Sequence, residues 1–69
     1  MSIDLLSVVI LQRDIPERSL LRGETGTVVE ILAPDVFEVE FLGEDGHTSA
    51  SVAIRSHDLI ATPAMIRKH

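Results

Sequence analysis

The segment Val36-Phe37-Glu38-Val39-Glu40-Phe41-Leu42 alternates apolar and charged side chains along its whole length. Successive side chains of a strand point to opposite faces, so this spacing puts Phe37, Val39 and Phe41 on one face and Glu38 and Glu40 on the other. Phe37 and Phe41 are the only aromatic residues in the chain, and burying them is the largest hydrophobic gain open to it. They define the inside of the fold. Upstream, Thr27 to Leu32 predicts a second strand, with Thr27, Val29 and Ile31 on one face and Val28, Glu30 and Leu32 on the other. Glu30 turns that second face toward water. Ala33, Pro34 and Asp35 supply the turn between the two strands, where Pro34 fixes its own φ. Downstream, Gly43-Glu44-Asp45-Gly46 reads as a hairpin connection, because glycine makes positive φ cheap. His47 to Ile54 comes next as a strand with Thr48, Ala50, Val52 and Ile54 on one face and Ser49, Ser51 and Ala53 on the other.

Toward the N-terminus, Asp4 to Ser7 forms a turn, and Ser7 to Gln12 reads as a strand because Val8, Val9 and Ile10 are β-branched. Its near-continuous apolarity requires cover on both faces, from this chain or from a partner. Arg13 to Thr25 is a long loop, broken by Asp14, Pro16 and Gly23, whose Ile15, Leu20 and Leu21 can fold back as a lid over the core. Near the other end, Arg55 to Asp58 makes one helical turn and Leu59 to Ala61 a short last strand. Five short strands at hairpin spacing, without a helical period, predict an all-β fold. A small barrel of about five short antiparallel strands buries one face and leaves no edges. The alternative is an open meander completed by a dimer mate. The domain is expected to span residues 1–62, with residues 63–69 a flexible tail.

The chain has 69 residues, room for one domain with a single small core. There is no cysteine, so disulfides, thiolate catalysis and sulfur-ligated zinc are excluded. No basic residue precedes the first apolar run, unlike a secretion signal, and that run is too short to span a bilayer, so a cytoplasmic location is expected. Residues 1–60 hold all eleven acidic residues against four arginines, a net charge of −7. Such a body repels phosphate backbones.

Leu21-Arg22-Gly23-Glu24-Thr25-Gly26-Thr27-Val28-Val29-Glu30-Ile31 resembles the glycine turn and valine-rich strand of SH3-like barrels, including the KOW-type modules of ribosomal and transcription proteins. Modules of that kind that touch RNA offer basic residues, whereas Glu24, Glu30, Glu38 and Glu40 stand nearby in this chain. The chain as a whole resembles the DUF4926 family of small uncharacterised bacterial proteins. Asp-Leu-Leu-Ser-Val-Val at 4–9, Asp-Ile-Pro-Glu at 14–17, Leu-Arg-Gly-Glu-Thr-Gly-Thr-Val-Val-Glu at 21–30, Phe-Glu-Val-Glu-Phe at 37–41 and Asp-Gly-His-Thr at 45–48 carry that resemblance. It implies a compact SH3-like barrel and brings no catalytic residues with it.

No constellation in the sequence specifies a reaction. Gly23 and Gly26 are not followed by the Gly-Lys-Ser/Thr of a phosphate loop. His47, His57 and His69, even with Asp45 or Asp58, lack the spacing of a helical metal site, so neither a metal nor a cofactor is expected. Glu38 with Glu40, or Glu44 with Asp45, could pair as an acid and a base, but a domain this small has little wall for a substrate cleft. Ser49 and Ser51 near His57 lack a nucleophile elbow. The sequence therefore predicts a noncatalytic protein-interaction module rather than an enzyme. The loop provides its candidate surface: Ile15 and Leu20 as apolar anchors and Arg13, Glu17, Arg18 and Arg22 as a charged rim. An acidic antitoxin or immunity-like protein that neutralises a genetically paired partner is the second reading, and a KOW-like nucleic-acid-binding module the third.

Overall fold

The computed structural model describes residues 3–43 and 48–62, with the side chains of Thr48 and Ser49 outside that description. Five strands form one antiparallel sheet: β1 (Val8–Leu11), β2 (Thr25–Ala33), β3 (Val36–Leu42), β4 (Thr48–Arg55) and β5 (Leu59–Ala61). Short helical turns occur at Pro16–Arg18, inside the long loop, and at Ser56–Asp58, between β4 and β5. The strand order is β4-β3-β2-β1-β5.

That order corrects the expected barrel. β4 and β5 lie at opposite ends of the sheet with no ladder between them, so the sheet is open and the SH3-like barrel is not formed. The three residues of β5 all pair with β1, and none makes a ladder bond toward β4. The inner face is buried by other means. Ile15 and Leu20 of the loop join Val9, Leu11, Val28, Phe37, Val39, Phe41, Val52, Ile54 and Leu59 in one buried cluster, with Ile3 and Ala50 packed against it. Ile15 and Leu20 exchange both backbone bonds, Ile15 N–H to Leu20 O at 2.8 Å and Leu20 N–H to Ile15 O at 3.1 Å, which pins this part of the loop. Leu21, expected to share that role, is exposed.

Cross-strand pairing explains the core. Val39 sits between Val28 and Val52, and Phe41 between Gly26 and Ala50. Opposed residues share a face, so the alternation in β3 propagates through its neighbours. Val9 and Leu11 are fully buried within this one chain, while Val8 and Ile10 are half-buried.

β2 departs from the expected pattern. Val28 pairs with Val39 but Glu30 pairs with Glu38, so Val29 is an extra residue in a bulge, and a second shift falls between Ile31 and Ala33. A bulge reverses the facing of the residues beyond it. Val28 therefore faces the core opposite Val39 while Glu30 faces outward opposite Glu38, two residues that strict alternation across Thr27 to Leu32 puts on one face, and Val29 and Ile31 are exposed. The glycines divide their work as well. Gly23 has φ +97°, the left-handed conformation expected of a turn glycine, while Gly26 lies within β2, where an added Cβ would come within 2.9 Å of Glu40 O and Phe41 Cε2 and 2.7 Å of Val39 Cγ1. Gly26 is required by close approach, not by its dihedral angles. The connection at 43–46 and the 63–69 tail fall largely or wholly outside the described residues.

Candidate functional site

The loop proposed from sequence is held mainly by its own contacts. Pro16 favours an extended Ile15, which has φ −127° and ψ 78°, and the short turn at Pro16–Arg18 returns the chain so that Leu20 meets Ile15. Both side chains point into the core, at 4% and 2% exposure, so neither is available as an anchor for a partner. Arg13 Nε donates to Asp58 Oδ2 at 3.0 Å, tying the loop to the helical turn before β5. The Arg22 backbone N–H donates to Asp14 Oδ1 at 2.8 Å, and the Leu21 N–H to Glu24 Oε2, also at 2.8 Å. Glu17, Arg18 and Arg22 remain exposed around this closed unit. The charged residues of the loop are exposed, and its two apolar candidates are buried.

The outer face of the sheet holds the alternating glutamates. Glu30 and Glu38 are direct cross-strand partners, Glu40 lies opposite Thr27 and Ser51, and Ser51 Oγ donates to Glu38 Oε2 at 2.6 Å. A solvated strand face accounts for these groups. His57 Nε2 lies 3.6 Å from Asp58 Oδ1 on the exposed helical turn. Among the described residues, no three His, Cys, Asp or Glu side chains gather into a metal-ligating group. His47, His69, Glu44, Asp45 and the side chain of Ser49 lie outside the described residues.

The feature that sequence reasoning missed arises from the open sheet. Between β5 and the β2–β3 turn runs a groove of about 540 Å³, lined by Ile3, Pro34, Phe37, Ser56, Leu59, Ile60 and Ala61. Its floor is apolar, and the Ser56 N–H donates to Asp35 O at 2.8 Å, which fixes the rim at the turn. One wall is a strand edge. Gln12 N–H donates to Asp58 O at 2.8 Å and Thr62 N–H to Val8 O at 3.0 Å, with Ile10 opposite Ile60 between them. In an antiparallel ladder the bonded positions alternate, so the backbone groups of Leu59 and Ala61 turn away from β1. Leu59 N–H is taken by Ser56 O. The Leu59 carbonyl and both backbone groups of Ala61 face outward, with no partner among the described residues. An apolar trough beside an unpaired strand edge can accept an extended peptide, whose main chain extends the sheet while alternate side chains enter the trough. The lining residues come from separate regions of the chain, so no local motif announces the site.

The molecule is thus a small open antiparallel sheet with an apolar groove beside its edge strand β5. The family model DUF4926, a domain of unknown function, matches residues 5–61, most of the chain, and the protein belongs to that family. The chain matches no curated protein and no solved structure. Among the described residues, no helix is long and apolar enough to cross a membrane.

Proposed function

We propose that this protein is a noncatalytic, cytoplasmic protein-interaction module that captures an extended segment of a partner along the outer edge of β5. The observation that supports it is the outward-facing backbone of Ala61 and Leu59 beside the apolar groove. Unpaired main-chain groups give such a site affinity, and the groove supplies side-chain selectivity. The net charge of −7 over residues 1–60 favours a basic segment and speeds its capture at low salt. Neutralisation of a genetically paired basic protein is the antitoxin-like form of the same reading.

Ala61→Pro provides the test. It removes an N–H that makes no bond to β1 and places proline at an edge position, where it is tolerated. Partners retained from native-cell extract by the wild-type chain are identified by mass spectrometry and rebound as purified proteins. Binding is expected to be lost with Ala61→Pro and to survive Arg18→Glu with Arg22→Glu, circular dichroism confirming that each variant is folded. A partner retained by Ala61→Pro but lost with the arginine changes overturns the groove reading and moves the surface to the loop.

A further inference from the structure

We propose that a second copy of this chain pairs with the first along the free edge of β4, joining two sheets into one about a two-fold axis. The site lies at the opposite end of the sheet from β5 and does not depend on the reading of the β5 edge. Ser56 N–H donates to Asp35 O at 2.8 Å, one step beyond the pairing of Val36 with Arg55, so the positions of β4 that bond to β3 are Ala50, Val52 and Ile54. The backbone groups of Ser51 and Ala53 therefore turn away from β3, and β4 has no other neighbouring strand among the described residues. Edge strands are commonly guarded by charges, by proline or by being very short. β4 runs for eight residues without proline, and its one charged side chain is Arg55 at its end.

Charge complementarity commits this edge to a second copy. Residues 1–60 carry −7, so two copies repel over most of their surface, and the uncharged run at 48–54 is where they can approach. Opposed residues of a ladder share a face, so in an antiparallel β4 pair with Ala53 opposite the partner's Ala53, Ser51 stands opposite the partner's Arg55. Ser51 Oγ donates to Glu38 Oε2 at 2.6 Å, which holds that carboxylate beside the edge, and Glu40 lies opposite Ser51 on the same outer face. The Arg55 guanidinium has no ion pair or hydrogen bond of its own among the described residues. In the pair it reaches across the small Ser51 to the Glu38 carboxylate of the other copy, and the two-fold axis makes this contact twice. On the inner face Val52 meets the partner's Ile54, which carries the buried layer from one sheet into the next. Pairing over so few residues is a small interface, so the dimer is a weak one that dissociates on dilution.

The test combines sedimentation equilibrium of the full-length chain over a dilution series with native-state hydrogen exchange at the Ala53 amide. The wild type is expected to pass from dimer to monomer on dilution, with Ala53 exchange becoming at least about tenfold faster as it does, while Val39 stays protected throughout. Ala53→Pro removes the edge N–H at a position where proline is tolerated and is expected to leave a monomer. Arg55→Glu changes only an exposed charge, so it keeps the fold, and is expected to weaken the dimer at least about tenfold. Adding Glu38→Lys to Arg55→Glu reverses the pair and is expected to restore association, a rescue that general damage to β4 would not show. A wild type that is monomeric at every concentration overturns the inference, as does Ala53 protection that is unchanged on dilution, since the edge is then covered from within one chain. A dimer that survives Arg55→Glu, or that is lost with Ala61→Pro and retained with Ala53→Pro, overturns it too by placing the interface elsewhere. Failure of the double variant to associate overturns the assigned register. Partner capture at β5 is read separately through Ala61→Pro, so the failure of one reading is distinguishable from the failure of the other.

Discussion

Gly26→Ala isolates the tightest contact in the sheet. A Cβ at this position would lie 2.7 Å from Val39 Cγ1 and 2.9 Å from both Phe41 Cε2 and Glu40 O. Ordinary carbon contacts sit at roughly 3.5–4.0 Å, so about 1 Å must be found. Val39 and Phe41 are fully buried, and the Glu40 carbonyl belongs to the β2–β3 ladder, so none of the three can move into open space. Overpacking of this kind costs about 1–3 kcal/mol, offset by about 0.4–1 kcal/mol because alanine has less freedom than glycine in the unfolded chain. A net loss of about 1–2 kcal/mol lowers Tm by roughly 5–15 °C in a domain of this size. With no tryptophan or tyrosine in the chain, the assay is thermal and urea unfolding followed by far-ultraviolet circular dichroism. Gly23→Ala is the control. It meets nothing within 4 Å but must hold φ near +97°, so it is destabilising through backbone strain alone. In a Val39→Ala background the nearest obstacle is gone. The Gly26→Ala penalty should then shrink by at least about 0.5 kcal/mol, while the Gly23→Ala penalty adds unchanged. A Gly26→Ala protein as stable as the wild type, or a penalty undiminished by Val39→Ala, would refute the close-approach account.

Three further substitutions probe other parts of the structure. Leu6 has φ +69° with its side chain 69% exposed, so Leu6→Gly relieves strain without giving up a buried contact; a stabilisation of about 0.5–1 kcal/mol is expected in urea melts. Glu30→Lys replaces a directly opposed pair of like charges with an attractive one. It should raise stability by about 0.2–1 kcal/mol, a gain that fades as salt is added. Phe41→Ala opens the centre of the core and should cost about 3–5 kcal/mol, most of what a chain of this length can hold; loss of a cooperative thermal transition is the expected readout.

The residues that face inward were largely legible from local pattern. In β3 the alternation alone places Phe37, Val39 and Phe41 in the core, and in β4 it does the same for Val52 and Ile54. Ile15 and Leu20 were legible as apolar residues in a polar loop. Their role was open, because the same two side chains could anchor a partner or close the core, and only their packing chooses between these. The β2 bulge was not legible. Thr27 to Leu32 fits strict alternation as a string, and it is the extra residue at Val29 that lets Val28 face the core opposite Val39 while Glu30 faces water opposite Glu38.

What the sequence determined by itself is the all-β class, the approximate strand boundaries and the acidic, cysteine-free character of the surface. These depend on side-chain period and composition, which act within a few residues. The tertiary structure decided that the sheet stays open, that Gly26 is held by Val39 and Phe41, and that a groove forms between Ile3, Phe37 and β5. Each of these is a contact between residues far apart in the chain. Whether two strand edges meet depends on register, bulges and the cover given by loops, and no local pattern encodes that sum.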